Sequence, residues 1–492
     1  MLVVYYIVLR SIPEYNKIVE LPGLISPIEI VRDTANVPHI YGDNDVDLYF
    51  GLGYSHAQDR LWQLVVKRLT AQGRLSEIFG KQALPLDEFM RRIDIYSLAQ
   101  KSVDVQDDRT KRALEAYAAG INARFLEINL KSLGRGAPEL LIYNIPLASW
   151  HPADSIAILK LFAVNSSSHY AKEILRARTL ITLPDPKRVI DILPDSPKFK
   201  NEMTSEVISL LDADNLIRSK KYQPKLDFFN GFVNNRLAGA SNSFAANDFR
   251  TATEGTLLAN DPHFKLSVPS QFYLAHLELS SGGIIGGTIP GIPTVIAGRS
   301  PYIGWGISAS YADDQDLYAE EINQNDDEKY KSLDGWKIFR SKETVIKIKG
   351  DNSKKIKLKW SENGPVLDKV TSQISDITPP NHEMAISWTM LTPQDTSMTA
   401  LINLTYSKDI KTALNALEGH VAPSLNYTLI DKENIALQLA GKLPKRRSDH
   451  NTRGRLPSFG YKEENRWRGY QSYDTNPRII NPEIGLIANT NN

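Results

Sequence analysis

Two short segments carry side chains whose types and spacing could do chemistry. In Ala238-Gly239-Ala240-Ser241-Asn242-Ser243-Phe244-Ala245, small residues lead into a serine that opens a strand-like run. A serine so placed reads either as a turn residue or as a nucleophile. In Asp313-Asp314-Gln315-Asp316, carboxylates and a backbone carbonyl come within reach of one hard cation, the oxygen ligation that suits Ca²⁺. A solvated acidic turn is the other reading of the same four residues. Other familiar chemistries are excluded. There is no Walker A pattern, no H-E-x-x-H and no G-x-S-x-G elbow, and Gly306-Ile307-Ser308-Ala309-Ser310 lacks the closing glycine. The absence of cysteine removes thiol nucleophiles, disulfides, iron–sulfur clusters and thiolate zinc sites. The nine histidines include no i, i+4 pair and read as structural residues.

The elements that must position these segments follow from patterning. Ile28-Glu29-Ile30-Val31-Arg32-Asp33 alternates like a strand, and Val37-Pro38-His39-Ile40 leads to a turn at Gly42-Asp43-Asn44. A helix is expected from Asn44 or Asp45, with Leu61, Val65 and Leu69 on one face, until Gly73. A second helix is expected from a cap at Asp108, with Leu114, Tyr117, Ala118, Ile121 and Phe125 on its buried face. Beyond Ser241 the text becomes strand-rich, with runs at Ser243–Asn247, Thr256–Ala259, Ile284–Ile289, Val345–Ile348 and Lys355–Trp360. Helices first and strands later point to an α+β protein.

The 492 residues allow roughly two to four domains. With 42 % apolar and 23 % charged residues the chain is expected to fold throughout. The 58 basic and 57 acidic residues give a net charge of +1, so no global field recruits nucleic acid or an anionic membrane. The opening apolar run Met1–Leu9 stops at Arg10, too short for a membrane span. It reads as a first strand in preference to a signal remnant, since neither a basic n-region nor a small-x-small site accompanies it.

The neighbourhood of Ser241 resembles the penicillin acylase family of N-terminal-nucleophile amide hydrolases. The likeness begins at Val31-Arg32-Asp33 and Val37-Pro38-His39-Ile40 and runs through Gly51-Leu52-Gly53-Tyr54 and His56-Ala57-Gln58-Asp59-Arg60-Leu61-Trp62-Gln63. It continues through the Ser241 segment, Asn260-Asp261-Pro262-His263-Phe264, Ile289-Pro290-Gly291-Ile292-Pro293, Gly304-Trp305-Gly306, Asn363-Gly364-Pro365-Val366, Asn426-Tyr427, Pro444 with Arg446, and Trp467 with Gly469.

The resemblance implies a precursor that cuts itself at Ala240–Ser241 and folds as a four-layer αββα sandwich. The expected parts are a mainly helical first chain over 1–182, a spacer over 183–240 and a strand-rich second chain over 241–492. Ser241 would be the nucleophile, with its freed α-amine, whose reference pKa is about 7.7–8.0, as base. The backbone N–H of Ala309 and the side-chain amide of Asn426 would stabilise the oxyanion. His263 would orient the serine or support the oxyanion site, and Arg446 would help organise it, the alternatives being a packed histidine and a solvated cation. Phe264 would line the acyl pocket. Ala297 stands where relatives place a phenylalanine wall, which implies a roomier pocket. The expected substrates are small N-acyl amides such as penicillins or acyl-homoserine lactones, with no organic cofactor. A structural Ca²⁺ held by Asp313, the Gln315 carbonyl, Asp316 and Glu173 would clip the two chains together.

Two departures stand out. Ala240 replaces a glycine common among relatives. Gly485-Leu486-Ile487-Ala488-Asn489-Thr490-Asn491-Asn492 resembles a mid-chain block, so the sandwich is expected to lack the last part of its second chain, either supplied as a separately encoded fragment or missing from a non-catalytic relative. The likeness favours an exported protein.

Overall fold

A computed structural model describes residues 5, 8–9, 11–130, 136–167, 169–183, 189, 191, 193, 241–264, 266–367 and 372–491. Most of the expected spacer and Ala240 itself lie outside the described residues.

Capping and hydrophobic pattern define the two helices anticipated in the first region. Helix α1 spans Asp45–Gln72; the Asn44 side chain accepts from the Asp47 N–H at its start, and Gly73 ends it in the left-handed conformation at φ 60°. Helix α2 spans Asp108–Leu130 and buries Leu114, Tyr117, Ala118, Ile121 and Phe125 as expected. Its first turn is capped by Asp107, whose carboxylate accepts the Thr110 N–H at 2.7 Å, one residue before the expected cap. The two helices touch backbone to backbone. A Cβ on Gly53 would lie 2.1 Å from the Tyr117 carbonyl oxygen, and one on Gly120 would lie 2.0 Å from that of Phe50. Near the N-terminus, Tyr5, Val8 and Leu9 are helical, not part of a strand. An apolar run without alternation has no period to separate the two forms.

Among the described residues the strands form four sheets, and two of them, one of nine strands and one of three, stack on each other. Those used below are β1 (Ile28–Arg32), β2 (Pro38–Gly42), β3 (Asn242–Ala246), β4 (Leu257–Asp261), β5 (Tyr273–Leu279), β6 (Gly282–Thr288), β7 (Val295–Arg299), β8 (Gly304–Ala309), β9 (Gln315–Asn323), β10 (His382–Trp388), β11 (Leu425–Ile430), β12 (Ile435–Ala440), β13 (Arg478–Ile480) and β14 (Leu486–Asn489). The large sheet has nine strands in the order β1-β2-β5-β6-β7-β8-β11-β12-β13, and a three-stranded sheet runs β14-β3-β4. Because β2 pairs in parallel with β5, joining Ile40 to Leu277, the first and second regions share one sheet.

Alternation assigns each face of the large sheet a role. On β11, Leu425, Tyr427 and Leu429 enter the main core with the helices, while Ile430 joins a second cluster of Ala245, Leu258, Ile435, Leu437 and Ile487 between the two sheets. Helix α1 and the short helices α5 (Ser397–Thr405) and α6 (Ile410–Leu417) cover the first face. The small sheet lies across β8, β11 and β12 on the second. Its own outer face leaves Phe244, Leu257 and Leu486 exposed. Among the described residues no helix is long and apolar enough to cross a membrane.

Buried polar ties join the first region to the second. From helix α3 (Pro152–Ser166), Lys160 donates to the Asp395 carboxylate at 2.6 Å and to the Met390 carbonyl at 2.9 Å. Burial alone would raise the Asp395 carboxyl, but Lys160 and the Ser397 donors hold it below its ordinary range. Removing one partner of a fully buried pair strands the other charge, so Lys160→Ala should lower unfolding free energy by about 3–5 kcal/mol. Urea denaturation measures this; a loss under about 1 kcal/mol contradicts it. His56, from the motif in α1, forms a second tie. Its Nδ1 lies 2.6 Å from the Tyr117 hydroxyl and its Nε2 2.9 Å from Thr288 Oγ1. Thr288 passes its own proton to the Tyr273 carbonyl, and Tyr117 accepts the Gly291 N–H. Burial pushes His56 well below its ordinary range, so it is neutral, and both ring nitrogens and the Tyr117 and Thr288 hydroxyls that meet them have partners.

Candidate active site

Ser241 sits in the seam between the two sheets, directly before β3, and is 6 % exposed. Its Oγ accepts the backbone N–H of His263 at 3.2 Å, and its own N–H donates to Asn491 Oδ1 at 2.9 Å. Both contacts follow from pairing within the small sheet. Strand β4 lies antiparallel to β3 with Asp261 opposite Asn242, which brings the chain just past β4 back to Ser241. Strand β14 pairs on the other side, with Asn489 opposite Ser243.

The seam is polar near Ser241 and apolar farther along. Ser243 and Thr428 share a proton between hydroxyls 2.6 Å apart. Asn260 joins the sheets through its side chain: its amide donates to the Asn242 carbonyl at 3.0 Å and the Ile307 carbonyl at 2.9 Å, and its oxygen accepts the Ile307 N–H at 3.0 Å. The glycine of Gly304-Trp305-Gly306 is required by this clasp, since a Cβ on Gly306 would lie 2.7 Å from Asn260 Cβ and Cγ. Asn260 belongs to a block singled out in the sequence, yet no residue-level signal there marks it as the inter-sheet bridge.

Ala309 and Asn426 come together on adjacent strands. Register pairs Asn426 of β11 with Ser308 and Leu425 with Ala309 of β8. Alternation turns the buried Asn426 side chain toward the small sheet, the side on which Ser241 lies, and its amide nitrogen is 3.5 Å from the Ala309 carbonyl. His263 meets the serine through its backbone alone. Its imidazole Nε2 is 2.6 Å from Asp261 Oδ2, in a pair open to solvent. Phe264 packs against Phe162 of α3 and edge-on to Phe272, with ring centroids 6.0 and 5.3 Å away. Ala297, on β7 opposite Gly287 of β6, is part-buried against the main core. Phe272 lies over that glycine, so Phe264, Phe272 and Ala297 belong to one apolar region.

Arg446 is engaged with the acidic cluster. Its Nε donates to Asp316 Oδ2 at 2.9 Å, its Nη2 to the Gln315 carbonyl at 3.1 Å, and it pairs with Asp313 at 3.2 Å. Trp467 Nε1 also donates to Asp316. Glu173, on helix α4 (His169–Thr182), faces the same cluster and accepts the Leu317 N–H at 3.1 Å. Burial, with Asp316 and Asp313 adding, raises the Glu173 carboxyl well above its ordinary range. Burial also raises Asp313, against the opposing pull of Arg446. Three carboxyls, those of Glu173, Asp313 and Asp316, thus crowd around the Arg446 guanidinium. Glu173 Oε1 and Asp313 Oδ1 are buried with no hydrogen-bond partner, and these hard oxygens fit a dication in chemistry. Among the described residues, however, no three carboxylate or imidazole groups converge to hold a metal.

A family profile described as Penicillin amidase matches residues 27–492. The acyl-homoserine lactone acylase QuiP of Pseudomonas aeruginosa is 28 % identical over 500 residues, covering 98 % of this chain and 57 % of the relative. The penicillin acylase 2 proenzyme of Pseudomonas sp. (strain SE83) is 26 % identical over 501 residues, covering 98 % of this chain and 60 % of the relative. The chain therefore spans under two thirds of the length of the curated relatives it matches. Among solved structures, a thermostable penicillin G acylase from Alcaligenes faecalis aligns with 51 % of this chain and 44 % of its own, at TM-score 0.46 and 24 % identity. The match over residues 27–492 places the chain in the penicillin amidase family.

Proposed function

We propose that this protein is an acylase that hydrolyses the amide of small N-acyl compounds through an ester on Ser241. The observation that carries the reading is the setting of Ser241: a buried hydroxyl oriented by the His263 N–H, beside its own restrained nitrogen, in the seam that Asn426 faces. In the uncut chain, Ser241 Oγ attacks the Ala240 carbonyl, the acyl group moves from nitrogen to oxygen, and water hydrolyses the resulting ester. The bond to Ala240 is thereby broken and the Ser241 amine freed.

In turnover that amine accepts the Oγ proton as Oγ attacks the substrate carbonyl. The Ala309 N–H and the Asn426 amide donate to the oxygen as it becomes negative. The ammonium returns the proton to the departing amine, leaving an acyl ester that water cleaves by the same path. Phe264 and Phe272 offer the acyl group an apolar wall, and Ala297 leaves space beside it. The names of the relatives, acyl-homoserine lactone acylase and penicillin acylase, support N-acyl amides with an apolar acyl group as the substrate class.

The four-layer arrangement belongs to this reading, because the exposed apolar face of β14-β3-β4 is the surface a further layer of helices would bury. So does calcium. Glu173, Asp313, the Gln315 carbonyl and Asp316 are the groups that would hold it, in place of the Arg446 guanidinium that now occupies Asp313, the Gln315 carbonyl and Asp316.

A panel of hexanoyl, decanoyl and phenylacetyl amides tests the activity. Purified protein is expected to release free amine from at least one of them, with the preferred chain length reporting the space beside Ala297. No release across the panel contradicts the reading.

A further inference from the structure

The hydrogen bond from the Ser241 nitrogen is unusual in what supports it. Asn491 accepts it from a left-handed backbone conformation, at φ 72°, that side chains other than glycine, asparagine and aspartate rarely adopt. Strain of this kind persists where surrounding contacts enforce it. Here the Asn491 N–H donates to Asn489 Oδ1 at 3.1 Å, and the same oxygen accepts the Ser308 hydroxyl at 2.6 Å. Ser308, Asn489 and Asn491 are all buried. Ser308 lies beside Ala309 and opposite Asn426, so one chain of neutral hydrogen bonds runs from the oxyanion strand to the nitrogen of the nucleophile.

We propose that Asn491 is a positioning residue that fixes the orientation of the Ser241 amine, an inference that rests on the nucleophile reading above. An uncut amide has one N–H, and it points to Asn491. The freed neutral amine has two N–H bonds and one lone pair, and could otherwise rotate about N–Cα. Holding one N–H on Asn491 Oδ1 restricts that rotation and leaves the lone pair directed at Oγ. Asn489 and Ser308 act at one remove by holding the Asn491 backbone.

The acceptor also favours the protonated amine, because a hydrogen bond to the charged form stabilises it. The other ionisable groups among the described residues of the packed strands are few. Asp261 and His263 pair with each other, and Tyr427 packs on His420 within the main core. Strands β8, β12 and β14 contribute none. The charge state of the amine is therefore sensitive to residue 491.

The test compares the wild-type protein with Asn491→Asp and Asn491→Ala. Each is first sequenced at the start of its second chain. The pH dependence of kcat/KM, and of Ser241 modification by phenylmethylsulfonyl fluoride, then reports the amine. A carboxylate should move the acid limb up by about one pH unit. Alanine should move it down and slow modification about tenfold. Either variant alone decides, so failure of one to be cut leaves the other. Correctly cut variants with unmoved acid limbs overturn the role of Asn491 and leave Ser241 as nucleophile. A wild-type second chain that begins elsewhere overturns the nucleophile reading and this inference together.

Discussion

Ser241→Ala is expected to yield one uncut chain with no detectable amide hydrolysis. The change removes a single oxygen atom, yet the proposed mechanism gives that oxygen two roles: attack on the Ala240 carbonyl in the precursor and on the substrate carbonyl in turnover. Neither step has a substitute among the neighbours. The nearby hydroxyls of Ser243 and Thr428 are bonded to each other across the sheets, and the His263 imidazole is paired with Asp261. The fold should tolerate the change, since the Ser241 N–H to Asn491 remains. Gel electrophoresis and intact mass measure the first effect, and amine release measures the second. A variant cut as the wild type is cut contradicts the assignment.

Asn426→Ala should lower kcat by about 100- to 1000-fold with little change in KM, because an oxyanion donor acts where charge develops and only there. That range corresponds to roughly 2.7–4 kcal/mol of lost transition-state stabilisation. Position supports the size of the effect: Asn426 is 3 % exposed, so water does not readily replace its amide. Asn426→Asp keeps the shape and substitutes a charge that repels the oxyanion, and should lose at least as much. Cleavage at Ala240–Ser241 should slow in both variants, since the acyl shift passes through a similar tetrahedral oxyanion. A tenfold rise in KM with unchanged kcat would mean instead that Asn426 only binds substrate.

The legible parts of this protein are those written in local pattern. Asn44 and Gly73 bracket α1, and the stripe from Leu114 to Phe125 marks the buried face of α2. The strand opening behind Ser241 and the runs at Lys355–Trp360 and Ile284–Ile289 are likewise written in composition and punctuation. The juxtaposition of Ala309 and Asn426, one register position apart, follows from strands far apart in the chain and was available only through resemblance. Three features had no local signal at all. Asn260 bridges two sheets with one amide, Asn491 reaches the Ser241 nitrogen across 250 residues of sequence, and Arg446 spends its guanidinium on Asp313 and Asp316. Side-chain hydrogen bonds of this kind have no periodicity, so they become visible only once the fold brings their distant partners together. His263 shows the converse. Its residue type drew attention, whereas the group that reaches Ser241 is the backbone N–H, which any residue but proline would supply.

The central claim is that hydrolysis is performed by a hydroxyl whose base is the amino group of the same residue. Sequencing the N-terminus of each chain in catalytically active protein tests this most directly. Active protein is expected to contain a chain that starts Ser-Asn-Ser-Phe-Ala-Ala, residues 241–246. Active protein whose Ser241 is still joined to Ala240, or whose second chain starts at another residue, contradicts it.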